Sequence, residues 1–387
     1  MATKTKKTEE KPKTEKKLPE IKLAANFKET CNIYMDMALS GGKGMPLGAS
    51  ILLLAPPGTG KTTIVADTIR SLLKKYEEEG SPNKVLFIDV EDSSQLLSNF
   101  GLQKYLGKSF LYRRGMITFE ELEPICSAIL GTTKDADMKE RYKDVKVIVI
   151  DSLSSVQSKA KLEKDIGAGD FGSNAKERGE FYTKYLPLFT EKEITQFYIA
   201  QVRKNITQMP MVGAPDKKSA TTDADKHWSH IIMNLKPAAV GSRSDVKGTS
   251  KSTQTLITGE VVELADTKKI LITTSGSGEV KNRYGCFPDI KALLRLGVGT
   301  SNVAFMFDVL SNLKYLTEGK NSKCYKFSEE YLKALGEDKI IGVDDLTVKE
   351  ARAFIREHLR DSVGFLKSKD QYKLVIKSDR DDDDGLF

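Results

Sequence analysis

Four short apolar runs, each closed by a polar residue, constrain this chain more than any other feature. Ile51-Leu52-Leu53-Leu54 leads to Gly58-Thr59-Gly60-Lys61, and Val85-Leu86-Phe87-Ile88-Asp89-Val90 leads to Glu91. Val147-Ile148-Val149-Ile150 leads to Asp151, and Phe197-Tyr198-Ile199-Ala200 leads to Gln201. The runs are not alternating, so both faces of each are apolar, the pattern of strands covered on both sides as in a parallel sheet. The stretches between them are long enough for helices, with residues 62–78 and 118–130 good candidates. Strand–helix alternation predicts a doubly wound α/β core with a mostly parallel sheet. Ligands of such sheets sit beyond the carboxyl ends of the strands, so all four polar groups are expected on one edge.

Composition narrows the class. The chain has 387 residues, with Lys plus Arg at 61 against Asp plus Glu at 54, a net charge of +7. That balance is too mild to mark a nucleic-acid binder by itself. The four cysteines, Cys31, Cys126, Cys286 and Cys324, have no CxxC spacing, which argues against a disulfide scaffold or a zinc ribbon. No run approaches 18 apolar residues, so no membrane span is expected. The basic N-terminus lacks an apolar segment behind it, so it does not read as a secretory signal. A soluble, cytoplasmic protein is the expectation.

Along the chain, residues 1–20 are rich in Lys, Glu and Thr and read as a disordered basic arm. In the 21–44 region, Leu23, Phe27, Ile33, Met35, Met37 and Leu39 recur at spacings near three and four, which predicts a helix over 21–39 packing on a neighbour and ended by Gly41, Gly42 and Gly44. Residues 45–310 form the core, with further strand-like runs such as Lys269–Thr274. Residues 311–377 read as a small C-terminal domain, where Thr347-x-x-Glu350 has the form of a capping box opening an amphipathic helix. Residues 378–387 are an acidic tail.

Ala55-Pro56-Pro57-Gly58-Thr59-Gly60-Lys61-Thr62-Thr63 matches a phosphate-binding loop, with Ala in place of the first Gly. Glycines let backbone N–H groups curl around phosphate oxygens, and the following helix N-terminus favours negative charge. Lys61 is placed to reach the β- and γ-phosphates and the Thr62 hydroxyl to ligate Mg²⁺. Asp151 follows its strand as the second Mg²⁺-holding group. Ser152 beside it reads equally well as a strand cap. Glu91 is a candidate to polarise an attacking water, with Asp89 on the same face if the strand stays extended. Gln201 carries an uncharged amide able to sense the γ-phosphate.

Together these segments resemble the RecA family of homologous-recombination ATPases, most of all its phage recombinases, over about residues 35–300. Met35-Asp36-Met37-Ala38-Leu39 and Met45-Pro46-Leu47-Gly48 resemble the family's lead-in to its phosphate loop. Phe87–Glu91 is similar to the strand ending in the catalytic Glu, Val149–Leu153 to the Mg²⁺-site strand, and Ala200-Gln201-Val202-Arg203 to the phosphate-sensing Gln motif. The resemblance implies an ATP- and Mg²⁺-dependent enzyme that forms helical filaments on single-stranded DNA, pairs it with homologous duplex and works beside single-strand-binding and mediator proteins. In the family, two cations reach across the subunit interface to ATP. Val280-Lys281-Asn282-Arg283 matches that segment, making Lys281 and Arg283 the candidates here. A phage protein would act in the host cytoplasm.

Two segments resemble the family's DNA loops. In Asp165–Gly172, Gly169 supplies mobility and Phe171 stands at the apolar wedge, with Lys176 following as a phosphate contact. The second runs from Arg203 to about Asp225 and includes Lys204, Asn205, Ile206 and Met209. It reads as a loop of about 20 residues without secondary structure. Where bacterial members have paired glycines near its end, Thr221-Thr222-Asp223-Ala224-Asp225 stands here. His227-Trp228-Ser229-His230 reads as a core or interface turn, not as a metal site. Two other readings share much of this pattern: a ring helicase or translocase on the same core, and a non-catalytic DNA-coating paralogue.

Overall fold

Ile51, Leu53 and Ala55 face one way along an extended strand and Leu52 and Leu54 the other, and all five are fully buried in the computed structural model. The structure describes residues 26–30, 32–162, 173–204, 217–219, 221–237, 252–255, 261–264, 267–274, 280–284, 290–295, 299–300, 302–319, 324–337 and 346–368. The basic arm and the acidic tail lie outside them.

The Ser50–Ala55 strand is central in an 11-stranded sheet. On one side come Thr195–Lys204, Val145–Asp151, Lys84–Asp89 and Phe110–Arg114, each parallel to the one before. On the other side Ile231–Pro237 is also parallel, and Thr267–Thr273, Ile290–Arg295 and Gly299–Thr300 continue antiparallel. The expected α/β core with a mostly parallel sheet is present, extended by an antiparallel wing.

Each face of the sheet carries its own apolar layer. Ile51, Leu53, Val85, Phe87, Val147 and Val149 pack with the helix Lys61–Glu78, which contributes Ile64, Val65, Ile69, Leu72 and Leu73. Leu52, Leu54, Leu86, Ile88, Ile148 and Ile150 pack with the helices Phe119–Ile129 and Ser173–Glu191. At ~1.5–3 kcal/mol for each large apolar side chain removed from water, these layers outweigh any single polar contact in holding the sheet. Thr118 and Glu121 exchange hydrogen bonds to start the Phe119–Ile129 helix.

The C-terminal part forms a small antiparallel sheet of Leu316–Glu318, Cys324–Phe327 and Leu346–Thr347. Thr347 and Glu350 form the expected capping box at the head of the Val348–Glu357 helix. Tyr315, Phe327, Tyr331, Ile355 and Phe365 join the same apolar cluster as the Lys61–Glu78 helix.

Two expectations need correction. The helix read over 21–39 starts only at Ile33, because Phe27–Lys28 is a strand paired antiparallel with Met45–Pro46. Asp36 fixes the changeover by accepting from the Thr30 hydroxyl at 2.7 Å and the Thr30 N–H at 3.1 Å. The second loop is also shorter than about 20 residues. Val202–Lys204 prolong their strand by pairing with Lys217–Ser219, and a helix begins at Asp223.

Gly44 closes the turn between the Ile33–Ser40 helix and the Met45–Pro46 strand at φ +113°, and a Cβ there would meet the Lys28 carbonyl carbon and oxygen at 2.6 Å. Gly80 has φ +61° with nothing within 4 Å of such a Cβ. Gly44→Ala is therefore expected to lower the melting temperature well beyond Gly80→Ala, whose cost is limited to the ~1–2 kcal/mol of left-handed backbone. Equal shifts in thermal denaturation would contradict the close approach at Gly44.

Candidate functional site

The phosphate loop begins where the Ser50–Ala55 strand ends. Gly58 and Gly60 hold left-handed φ values of +70° and +94°, a backbone that side chains resist. Thr59 closes the loop by donating its hydroxyl to the Pro56 carbonyl at 2.8 Å. Lys61 opens the 18-residue helix, and its buried ammonium donates to the carbonyls of Ala55 and Pro56 at 3.3 and 3.2 Å. Burial lowers the Lys61 pKa, while the charges of Asp151 and Glu91 act in the opposite direction. Pro57 and Gly58 are exposed, and Thr63 is buried one residue beyond Thr62.

Strand register delivers the partners. Ala55 pairs with Gln201, Asp89 with Asp151, and Asp151 with Ile199. All lie on the carboxyl edge. Asp151 is fully buried and one of its carboxylate oxygens accepts the Thr62 hydroxyl hydrogen bond. Its other oxygen is buried with no hydrogen-bond partner. Burial raises its pKa to about 7; the charges of Glu91 and Asp89 add to the rise, and the Thr62 hydrogen bond and Lys61 oppose it. A hydroxyl and a carboxylate with a spare oxygen form a hard-oxygen donor set that suits Mg²⁺.

Glu91 stands exposed at the mouth of this edge. One of its oxygens accepts from the Ser152 hydroxyl at 2.5 Å and from the Gln201 amide at 2.8 Å. Ser152, for which a strand cap was an equal reading, thus holds Glu91. Asp89 does not share a face with Glu91. The strand stops at Asp89 because the Val90 and Glu91 N–H groups both turn to the Asp151 carbonyl, at 2.6 and 3.3 Å. Asp89 stays buried and accepts from Tyr112 at 2.7 Å and the Ser93 N–H at 2.6 Å.

Lys281 and Arg283 are not brought to this edge. Lys281 pairs with Ile232 and Asn282 with Ile231, and the Arg283 N–H donates to the His230 carbonyl at 3.1 Å. His230 in turn donates its N–H to the Ser50 carbonyl, so the segment lies beside the start of the Ser50–Ala55 strand, not its end. There Arg283 lines a pocket of about 480 Å³ with Trp228, His227 and His230. His230 accepts the Ser50 N–H on Nδ1 at 3.0 Å, and burial first, then the Arg283 and Lys281 charges, push its pKa down to about 4. Among the described residues no group of three His, Cys, Asp or Glu could hold a metal ion, and no helix is long and apolar enough to cross a membrane.

Of the candidate DNA contacts, Lys176 is exposed in the first turn of the Ser173–Glu191 helix, 3.8 Å from Glu180. Arg203 and Lys204 lie at the end of the Thr195–Lys204 strand, two positions beyond Gln201 and onward. Gly169, Phe171, Asn205, Ile206 and Met209 lie outside the described residues. A buried Arg178–Asp225 ion pair at 2.8 Å, unforeseen from the sequence, joins the Ser173–Glu191 and Asp223–Trp228 helices. Thr222-x-x-Asp225 was its one legible trace, since a Thr three residues before an acidic residue marks a helix start.

The sequence matches the AAA domain family over residues 47–283. It is also similar to proteins named RecA from bacteria. With that of Gluconobacter oxydans it is 25% identical over 224 residues, 58% of each chain. With that of Leptospira biflexa it is 26% identical over 230 residues, 57% of this chain and 54% of the relative, and Leptospira meyeri has a similar protein at 25%. The chain spans little more than half the length of these curated relatives.

The raised pKa of Asp151 has a consequence for stability. A folded value of about 7 against 3.8 means that the folded chain holds this proton more tightly than the unfolded one. Its contribution is most favourable below pH 3.8 and declines as the pH rises to about 7. Asp151→Asn, neutral throughout, is expected to melt higher than the unsubstituted chain at about pH 8 without nucleotide or metal. The gap should close towards pH 4. An equal or lower melting temperature at pH 8 contradicts this.

Proposed function

Since the chain belongs to the AAA domain family and carries its phosphate loop on a RecA-like α/β core, we propose that it is an ATP-dependent DNA recombinase. It assembles as a helical filament on single-stranded DNA, pairs that strand with homologous duplex and exchanges strands, hydrolysing ATP to ADP and phosphate in each cycle. Following the resemblance to phage recombinases, it works in the host cytoplasm with single-strand-binding and mediator proteins.

The observation that carries this reading is the Gln201–Glu91–Ser152 cluster beside the phosphate loop. Glu91 is exposed and held by two neutral donors, which suits a base that must accept a proton. Gln201 sits on the strand that runs on into Arg203, Lys204 and the second candidate DNA segment. A γ-phosphate that draws the Gln201 amide away from Glu91 both frees the base and shifts the start of that segment. Nucleotide state and DNA grip then change together.

The roles follow from placement. Backbone N–H groups from Pro57 to Thr63 cradle the phosphates, and Lys61 exchanges its two loop carbonyls for phosphate oxygens. Thr62 and Asp151 hold Mg²⁺, which supplies neutralisation of the charge that develops on the phosphates. Glu91 takes a proton from the water attacking the γ-phosphorus, and the bond to the bridging oxygen breaks. Lys281 and Arg283, at the opposite end of the central strand, serve the nucleotide of a neighbouring copy. Hydrolysis thereby depends on assembly. Lys176, Gly169, Phe171, Arg203, Lys204, Asn205, Ile206 and Met209 make the DNA contacts.

With the purified chain, ATP and Mg²⁺, single-stranded DNA should raise the hydrolysis rate at least about tenfold, and electron microscopy should show open helical filaments. Lys61→Ala should lose nucleotide binding. Glu91→Gln should bind ATP but turn over ~10²–10⁴-fold more slowly. Equal hydrolysis with and without DNA, or closed rings, would overturn the recombinase reading; normal turnover of Glu91→Gln would remove Glu91 from it.

A further inference from the structure

The Arg178–Asp225 pair has no part in the roles just described, yet it is among the most buried charge pairs of the described residues, with side chains 5% and 1% exposed. Asp225 is saturated: it accepts from Arg178 Nη1 at 2.8 Å, from the Tyr182 hydroxyl at 2.6 Å and from the Thr222 N–H at 2.6 Å. The other fork nitrogen of Arg178 donates to the Leu153 carbonyl at 3.2 Å. Leu153 directly follows Ser152, the residue that holds Glu91. Arg178 therefore ties the turn behind the catalytic edge to the head of the Asp223–Trp228 helix.

The far end of that helix is tied as well. Lys281 Nζ donates to the carbonyls of Lys226 and His227 at 3.3 and 3.1 Å, and the Ser50 hydroxyl donates to the Trp228 carbonyl at 2.8 Å. The helix is six residues long, about 9 Å at 1.5 Å per residue. It is a short rod with the nucleotide edge of its own subunit at one end and the ammonium of Lys281 at the other. An ammonium on helix C-terminal carbonyls is a weak attachment, readily exchanged for a phosphate. Burial and the nearby Arg283 charge lower the Lys281 pKa.

Stability alone does not account for the pair, because apolar residues of similar size serve as well or better at such sites. What an Arg fork adds is a fixed geometry to two partners at once. We propose that Arg178 and Asp225 are positioning residues: through the Asp223–Trp228 helix they set whether Lys281 stays on its own subunit's carbonyls or is presented to the nucleotide of the next copy. A change at the Ser152–Leu153 turn in one subunit is thus passed to its neighbour as a cation offered or withheld. This rests on the recombinase reading and deepens it by naming the link between successive ATP sites.

The test uses the full chain with ATP, Mg²⁺ and single-stranded DNA. Arg178→Met and Asp225→Asn alone each leave a buried charge unpaired and should melt lower. Combined, they remove both charges and should recover most of the melting temperature. The double variant should bind a fluorescent ATP analogue within about threefold of the unsubstituted chain. Its DNA-stimulated kcat should fall at least about tenfold, and its Hill coefficient for ATP should drop to one. Adding Lys281→Ala to it should cost little more, since both act in one step. Arg178→Lys, which keeps the charge but not the fork to Leu153, provides the same readout if the double variant fails to fold. Unchanged cooperativity and DNA stimulation in either folded variant would overturn the proposal. An unsubstituted chain without DNA stimulation would instead fail the recombinase reading and take the proposal with it, and one with a Hill coefficient of one would overturn the proposal alone.

Discussion

Parallel pairing is the constraint on which the site depends. Strands that run the same way end at the same edge, so the residues closing four separate apolar runs meet without any direct sequence relation. The pairs Ala55 with Gln201 and Asp89 with Asp151 are fixed by backbone hydrogen bonds, not by the side chains themselves. A slip of one residue in either strand would turn every core side chain to the wrong layer. The polar groups are thus held in place by the apolar residues behind them. This explains how Lys61, Asp89 and Asp151 can stay buried close together. Their desolvation is unfavourable, as the opposed shifts of Lys61 and Asp151 indicate, and the two apolar layers offset it.

Where a reading depended on local chemistry, the sequence was sufficient. Non-alternating β-branched runs announced buried strands, glycines next to Lys61 announced the loop, and Thr347 with Glu350 announced a helix start. Where it depended on a partner distant in the chain, the sequence was not. Phe27 has helical spacing to its apolar neighbours, but it lies in a strand opposite Pro46, and no periodicity reveals that. Asp89 reads as a partner to Glu91 until the Asp151 carbonyl captures the intervening N–H groups. Ser152, beside Asp151, reads equally well as a strand cap. Only the fold brings its hydroxyl to the Glu91 carboxylate. Arg178 sits in a helix among exposed charges and reads as one more of them. It is instead buried and paired with Asp225, 47 positions away.

The placement of Lys281 and Arg283 shows why a single chain is an incomplete catalyst under the proposed function. A strand of six residues spans about 20 Å, and these cations lie beside its first residues while the phosphate loop follows its last. No rotation of a Lys or Arg side chain crosses that distance. Either the two are ordinary surface charges or the nucleotide they serve belongs to another copy. The proposed function takes the second. Arg283 is exposed in a pocket beside Trp228, and the Lys281 ammonium rests on helix carbonyls. A head-to-tail contact that joins the carboxyl edge of one sheet to the opposite edge of the next leaves each interface with one loop and one pair of cations. Such a heterologous contact generates either a ring or an open helix. Under the proposed function, the geometry that divides the site between copies therefore makes repeated assembly the condition for completing it.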